Sequence, residues 1–223
     1  MSAKDNILAR VRQSLKVPQD DSARKQTVAE RLAKAPVGVI PDRAKLPHDE
    51  QIELFQAMAE KYSATVARLS SITDVPGEVS SYLKARNLPA IVRMGADPLL
   101  GSANWAQEKT LEVRQGATDG NDLAGVSHAF GAIAESGTLA LVSGQDNPTT
   151  INFLPEYHLV VVKAEDVVGD METIFARNRE TFGKGTMPRT LNLVTGPSRS
   201  ADIEQTLLLG AHGPRALHIM IVD

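Results

Sequence analysis

The stretch GAIAESGTLALVSG, residues 131–144, decides how this chain is read. It sets Glu135 and a Ser136-Gly137-Thr138 turn between two apolar runs, Ala132-Ile133-Ala134 and Leu139-Ala140-Leu141-Val142. Short apolar runs bounded by turn residues read as buried strands. A glutamate among them is costly unless it is paired or put to use. Gly137 permits a tight turn or a close backbone approach, and the hydroxyls of Ser136 and Thr138 flank it as donors and acceptors. Two readings stay open. Either Glu135 braces a tight turn through neighbouring amides, or it is a catalytic carboxylate at the floor of a cleft, with Ser136, Gly137 and Thr138 as ligand contacts.

Outward from this stretch, amphipathic segments alternate with short runs rich in β-branched residues, the signature of βαβ units. Strands are expected over 64–69, 90–94, 111–114, 130–134, 139–143, 159–163, 191–195 and 217–222, with helices over about 52–62, 74–87, 170–181 and 201–209. Strands this uniformly apolar belong in a mostly parallel sheet covered by helices on both faces, so the expected fold is a three-layer α/β domain. Upstream, Ile7, Leu8, Val11 and Leu15 make a narrow apolar stripe on a helix over 4–16, with Ser2 and Asp5 placed as a capping pair. A second helix over about 21–34 has only Val28 and Leu32 as large apolar residues, and Pro36, Pro41 and Pro47 punctuate the linker after it. Residues 1–48 are therefore expected to be a helical N-terminal arm and linker, and residues 49–223 the main domain.

The 223 residues are 42% hydrophobic and 23% charged, ordinary values for a globular chain. The net charge of -3, from 24 basic and 27 acidic residues without a long basic run, argues against nucleic-acid binding. There is no cysteine, so the chain carries neither a disulfide nor a cysteine-ligated iron–sulfur cluster of its own. The start lacks the continuous apolar core of a signal peptide, and nowhere do 18 apolar residues run uninterrupted; the expectation is a cytoplasmic protein without a membrane span.

Two further clusters carry candidate chemistry. The sequence LVTGPSRSADIE, residues 193–204, runs from a strand through Gly196-Pro197 to an expected helix start, where free amides beside Arg199 would bind a phosphate or carboxylate. Gly196, Ser198, Arg199, Ser200 and Asp202 are its candidate ligand contacts. The second cluster is Gly-Ala-His-Gly-Pro, in which His212 could transfer a proton or meet an anion, with Gly213 beside it. The other histidines, His48, His128, His158 and His218, form no HExxH or His-x-His pattern, so no metal site is expected. No dinucleotide fingerprint, Walker loop or Gly-x-Ser-x-Gly elbow occurs.

IAESGTLALVSG, LPEYHLVVV and NLVTGPSRSADIEQTLLLGAHGPRALHIMIVD, taken together, resemble the LUD-domain family of lactate utilization protein C and its relatives. The resemblance runs over about residues 50–223, with Ser136 and Ser200 standing where threonine is usual. It implies a fold similar to NagB, ribose-5-phosphate isomerase and the CoA transferases. It also implies a part in oxidising L-lactate to pyruvate beside two iron–sulfur subunits, with no cofactor in this chain. Alternatives are a stand-alone enzyme of CoA-transferase or sugar-phosphate-isomerase type using Glu135, and a non-catalytic adaptor subunit.

Overall fold

The computed structural model describes residues 2–18, 21–201 and 207–223. The chain divides into two compact units, Met1–Val39 and Ile40–Asp223. The first holds helices α1 (Ala3–Ser14) and α2 (Ser22–Lys34). Ser2 and Asp5 close the capping box at the start of α1. Neither helix buries a residue, so both rest on local interactions and helix propensity.

The second unit contains helices α3 (His48–Lys61), α4 (Val75–Ala85), α5 (Pro98–Ser102), α6 (Thr149–Phe153) and α7 (Met171–Phe182). Its strands are β1 (Thr65–Leu69), β2 (Ile91–Met94), β3 (Glu112–Gln115), β4 (Ala124–His128), β5 (Gly131–Ile133), β6 (Thr138–Val142), β7 (Tyr157–Lys163), β8 (Val167–Val168), β9 (Leu191–Thr195), β10 (Arg199–Ala201), β11 (Leu207–Leu209) and β12 (Ala216–Val222). Six strands form a wholly parallel sheet in the order β1-β12-β7-β4-β2-β3.

Side chains alternate across this sheet, and each face has its own core. Val160, Val162, Ile219 and Ile221 pack against Ile52, Phe55 and Ala59 of α3 and against Leu139 and Leu141 of β6. Leu159, Val161 and Met220 point the other way, onto Val75, Val79 and Leu83 of α4 and Leu100 of α5. Each such side chain contributes roughly 1.5–3 kcal/mol on burial. The architecture is the expected α/β one, a six-stranded parallel sheet flanked by helices.

Two expectations are overturned. The strands around 130–134, 139–143 and 191–195 do not join the parallel sheet. They form a separate four-stranded sheet, β8-β5-β6-β9, in which β5–β6 and β6–β9 are antiparallel. The cause is the turn at 134–137: Ile133 pairs with Thr138, so the chain reverses at once, and so short a link cannot return a strand in parallel. Gly137 sits in this turn at φ +65, where a Cβ would come within 2.5 Å of the Ala59 nitrogen. The hairpin thereby closes onto α3.

The second correction concerns the helix expected over 201–209. Instead, β10 and β11 pair antiparallel, with Arg199 opposite Leu209 and Ser200 opposite Leu208. The ribbon is secured at its base, where the Gly210 amide donates to the Ser198 carbonyl at 3.0 Å. Cross-strand pairing here wins over the capping and helix-forming pattern of the local sequence. Residues 202–206, and Asp202 with them, lie outside the described residues.

Candidate functional site

Gly196 follows β9 in a left-handed conformation, φ +69, and a Cβ there would sit 2.2 Å from the Tyr62 carbonyl oxygen. Arg199 donates to that same carbonyl, so both ends of the 196–199 loop are held at the end of α3. Ser198 ties this loop to the next one: its amide donates to the Pro214 carbonyl at 2.8 Å, and its Oγ accepts from the His212 amide at 3.3 Å. Gly196, Ser198, Arg199, His212 and Gly213 thus surround a single cavity of about 290 Å³. The two clusters, separated by residues 200–211 in the sequence, come together here. The donors are not those of a helix start, since Arg199 lies on a strand.

The cavity lies where β7 and β12 begin, not beyond the carboxyl ends of the parallel strands. His158 and Leu217, each second in its strand, form its inner wall and face each other in register. His158 has no exposed surface, and burial drives its imidazole down to about 3, so at neutral pH it is uncharged. Its Nε2 lies 2.9 Å from Ser127 Oγ, and that hydroxyl donates to Asn152 Oδ1 at 2.9 Å. Because the hydroxyl proton is committed to Asn152, Ser127 must accept from His158, which places the imidazole proton on Nε2. Nδ1 is left as a buried lone pair without a partner among the described residues. Asn152 also lines the cavity.

Glu135 does not reach this cavity. It is half-buried beyond β5, and its carboxylate accepts from the Met171 amide at 3.3 Å, at the first residue of α7. A carboxylate there also complements the positive end of the helix. The expectation that Glu135 floors the same cleft is thereby corrected. Ser136 and Thr138 connect to the cavity through hydroxyls alone: Ser136 Oγ to Thr138 Oγ1 and Thr138 Oγ1 to Thr195 Oγ1, both 2.7 Å, with Thr195 on the cavity wall. Gly137 packs against α3, and Ser200 lies in β10 outside the cavity lining.

Sequence reading passed over His158, Ser127 and Asn152. The signal was present in Tyr157-His158 opening an otherwise apolar strand, where a buried histidine calls for a polar partner. Among the described residues, no group of three or more His, Asp or Glu side chains gathers as a metal site, and no helix is long and apolar enough to cross a membrane.

A parallel α/β sheet, a second sheet packed on it and a cavity closed by the 196–199 and 212–214 loops define the class of protein. Residues 52–222 match the LUD domain, and the chain belongs to the LUD domain family. It is similar to lactate utilization protein C of Geobacillus thermodenitrificans, 41% identical over 145 residues that cover 60% of this chain and 60% of that protein. The protein of the same name from Bacillus subtilis is 34% identical over 121 residues, 53% of this chain and 50% of that one. The matched part thus spans about half to three fifths of these curated relatives. The crystal structure of a DUF162 family protein from Deinococcus radiodurans superposes with a TM-score of 0.56 at 21% identity, covering 80% of this chain and 99% of that one, and it supports the fold.

Proposed function

We propose that this chain serves lactate utilization as a subunit without a redox centre of its own, working in the cytoplasm beside iron–sulfur partner subunits. In this reading it binds a small carboxylate or phosphate-bearing ligand in the cavity between loops 196–199 and 212–214. The observation that carries the proposal is the convergence of Ser198, Arg199 and His212 on one cavity through bonds made across the two loops. The Arg199 guanidinium spends a donor on the Tyr62 carbonyl and has others for an anion. His212, exposed at the rim, can donate a second hydrogen bond or a proton. Family membership and the name shared by its relatives supply lactate; the absence of cysteine accounts for the division of labour, because the electrons need a carrier on another chain. The packing of a second sheet on the parallel one is compatible with a fold of the NagB and CoA-transferase kind. The stand-alone enzyme using Glu135 gains less support, because that carboxylate is engaged with α7.

The test is Arg199→Ala. A charge-assisted contact is worth about 1.5–3 kcal/mol, so phosphate or L-lactate should bind tenfold or more weakly by calorimetry, and growth of a deletion strain on L-lactate should not be restored. Equal binding and full growth would remove the cavity from the function.

A further inference from the structure

In the parallel sheet, β2 and β4 are neighbours whose onward connections leave in opposite directions: β2 leads outward to β3, while β4 leads the other way to β7 and then β12. Such a reversal is where open α/β sheets hold ligands, beyond the carboxyl ends of the strands. Two polar side chains meet there. His128 is the last residue of β4, and Asp97 follows β2 at the start of α5. His128 Nδ1 lies 3.1 Å from Asp97 Oδ2, which also accepts from Asn147 Nδ2 at 2.9 Å, while Asp97 Oδ1 accepts from the amides of Leu99 and Leu100 at 2.9 and 3.2 Å.

Burial alone would push the Asp97 carboxyl up, but the bonds from His128 and Asn147 outweigh it and bring it down to about 2. Asp97 is therefore ionised and only accepts, so Nδ1 carries a proton. In the neutral imidazole the lone pair then sits on Nε2, which is buried and has no partner among the described residues. A structural ion pair has no need of that bare nitrogen, whereas a carboxylate-backed imidazole with a free Nε2 is the arrangement of a proton acceptor. The loop 143–148 passes close by. The Asp146 carbonyl occupies the space of a Cβ on Gly95, at 1.9 Å, and Asn147 ties the loop to Asp97 while residues 144–146 stay exposed. A ligand reaching the dyad would have to displace this loop.

We propose that Asp97 and His128 form a second ligand site, separate from the anion cavity, at which Nε2 accepts a hydrogen bond from the hydroxyl of a small hydroxy acid. The choice of a hydroxy acid rests on the lactate reading above; the site itself rests on the dyad. The test is nitrogen NMR of the full chain labelled in its histidines. L-Lactate should move the His128 Nε2 resonance, and propionate, which lacks the hydroxyl, should not. No movement with L-lactate, or equal movement with both, overturns the site. Inorganic phosphate should move His212 and leave His128 unchanged, so a failure of the anion cavity shows separately. His128→Asn, whose amide can take the place of Nδ1 and donate to Asp97 but which has no atom at the Nε2 position, should lower growth on L-lactate at least tenfold with the melting temperature within a few degrees of the parent. Full growth of that variant, with Arg199→Ala still failing, overturns this inference and leaves the cavity standing.

Discussion

The two ends of the parallel sheet each carry a histidine with one nitrogen engaged and the other without a partner among the described residues, and they reach that state by opposite means. At the amino end of β7, His158 is fully buried; burial alone keeps it uncharged, and a line of neutral groups through Ser127 to Asn152 fixes its proton on Nε2. At the carboxyl end of β4, His128 is partly exposed, and an ionised Asp97 fixes the proton on Nδ1. Alternation along the strands puts them on opposite faces: Ser127 and His158 share the face of Val160 and Val162, while His128 shares the face of Val126. A neutral relay tolerates substitution, because each lost bond is modest. A carboxylate bonded to several donors does not, because removing it strands all of them.

The largest expected effect is on stability. Asp97→Ala leaves His128, Asn147 and the amides of Leu99 and Leu100 without their acceptor and should cost roughly 3–5 kcal/mol in urea unfolding. Asn152→Ala at the other end removes one neutral acceptor and should cost about 1–3 kcal/mol. Equal losses would break the contrast between an ionic and a neutral cluster.

A smaller effect appears with pH. The folded value of His158, about 3, lies below the ordinary 6.5, so between the two the unfolded chain binds more protons and stability falls as the pH falls. The loss from this residue should reach roughly 2 kcal/mol at pH 5. His218, lowered to about 4 by burial and by Arg86, adds a loss of the same sign. Asp97 acts only further down, losing its contribution as the pH drops from the usual carboxylate range through about 2. His158→Gln should flatten the slope between pH 7 and 5, measured by thermal unfolding across that range. An unchanged slope would mean that His158 is not held neutral by burial.

Much of this fold was legible in the chain. The strands 65–69, 91–94, 157–163 and 216–222 stand within a residue or two of their expected places, because short runs rich in Val, Ile and Leu, such as Leu159-Val160-Val161-Val162, have few alternatives to a sheet covered on both faces. β4 was not legible. Its sequence, Ala-Gly-Val-Ser-His, is broken by Gly125, needed because a Cβ would come within 2.8 Å of Ile151, and by the Ser127 and His128 that make it interesting. The helix expected over 201–209 gives way to β10 and β11 because strand pairing depends on a cross-strand partner, which local propensity does not reveal. For the site, the joining of 196–199 with 212–214 could only be guessed, since it depends on Ser198 bonding both loops. Glu135 stands out in the sequence for its cost in an apolar setting, and the structure answers that cost with an amide at the start of α7.

The contrast between the two ends of the sheet requires the two imidazoles to be opposite tautomers, and one measurement addresses that directly. Long-range proton–nitrogen NMR of the histidine-labelled chain at pH 7 distinguishes a protonated ring nitrogen from a bare one. The expected result is His158 with its proton on Nε2 and, in its neutral form, His128 with its proton on Nδ1. Finding both neutral rings in the same tautomer, or His158 charged at pH 7, would contradict it.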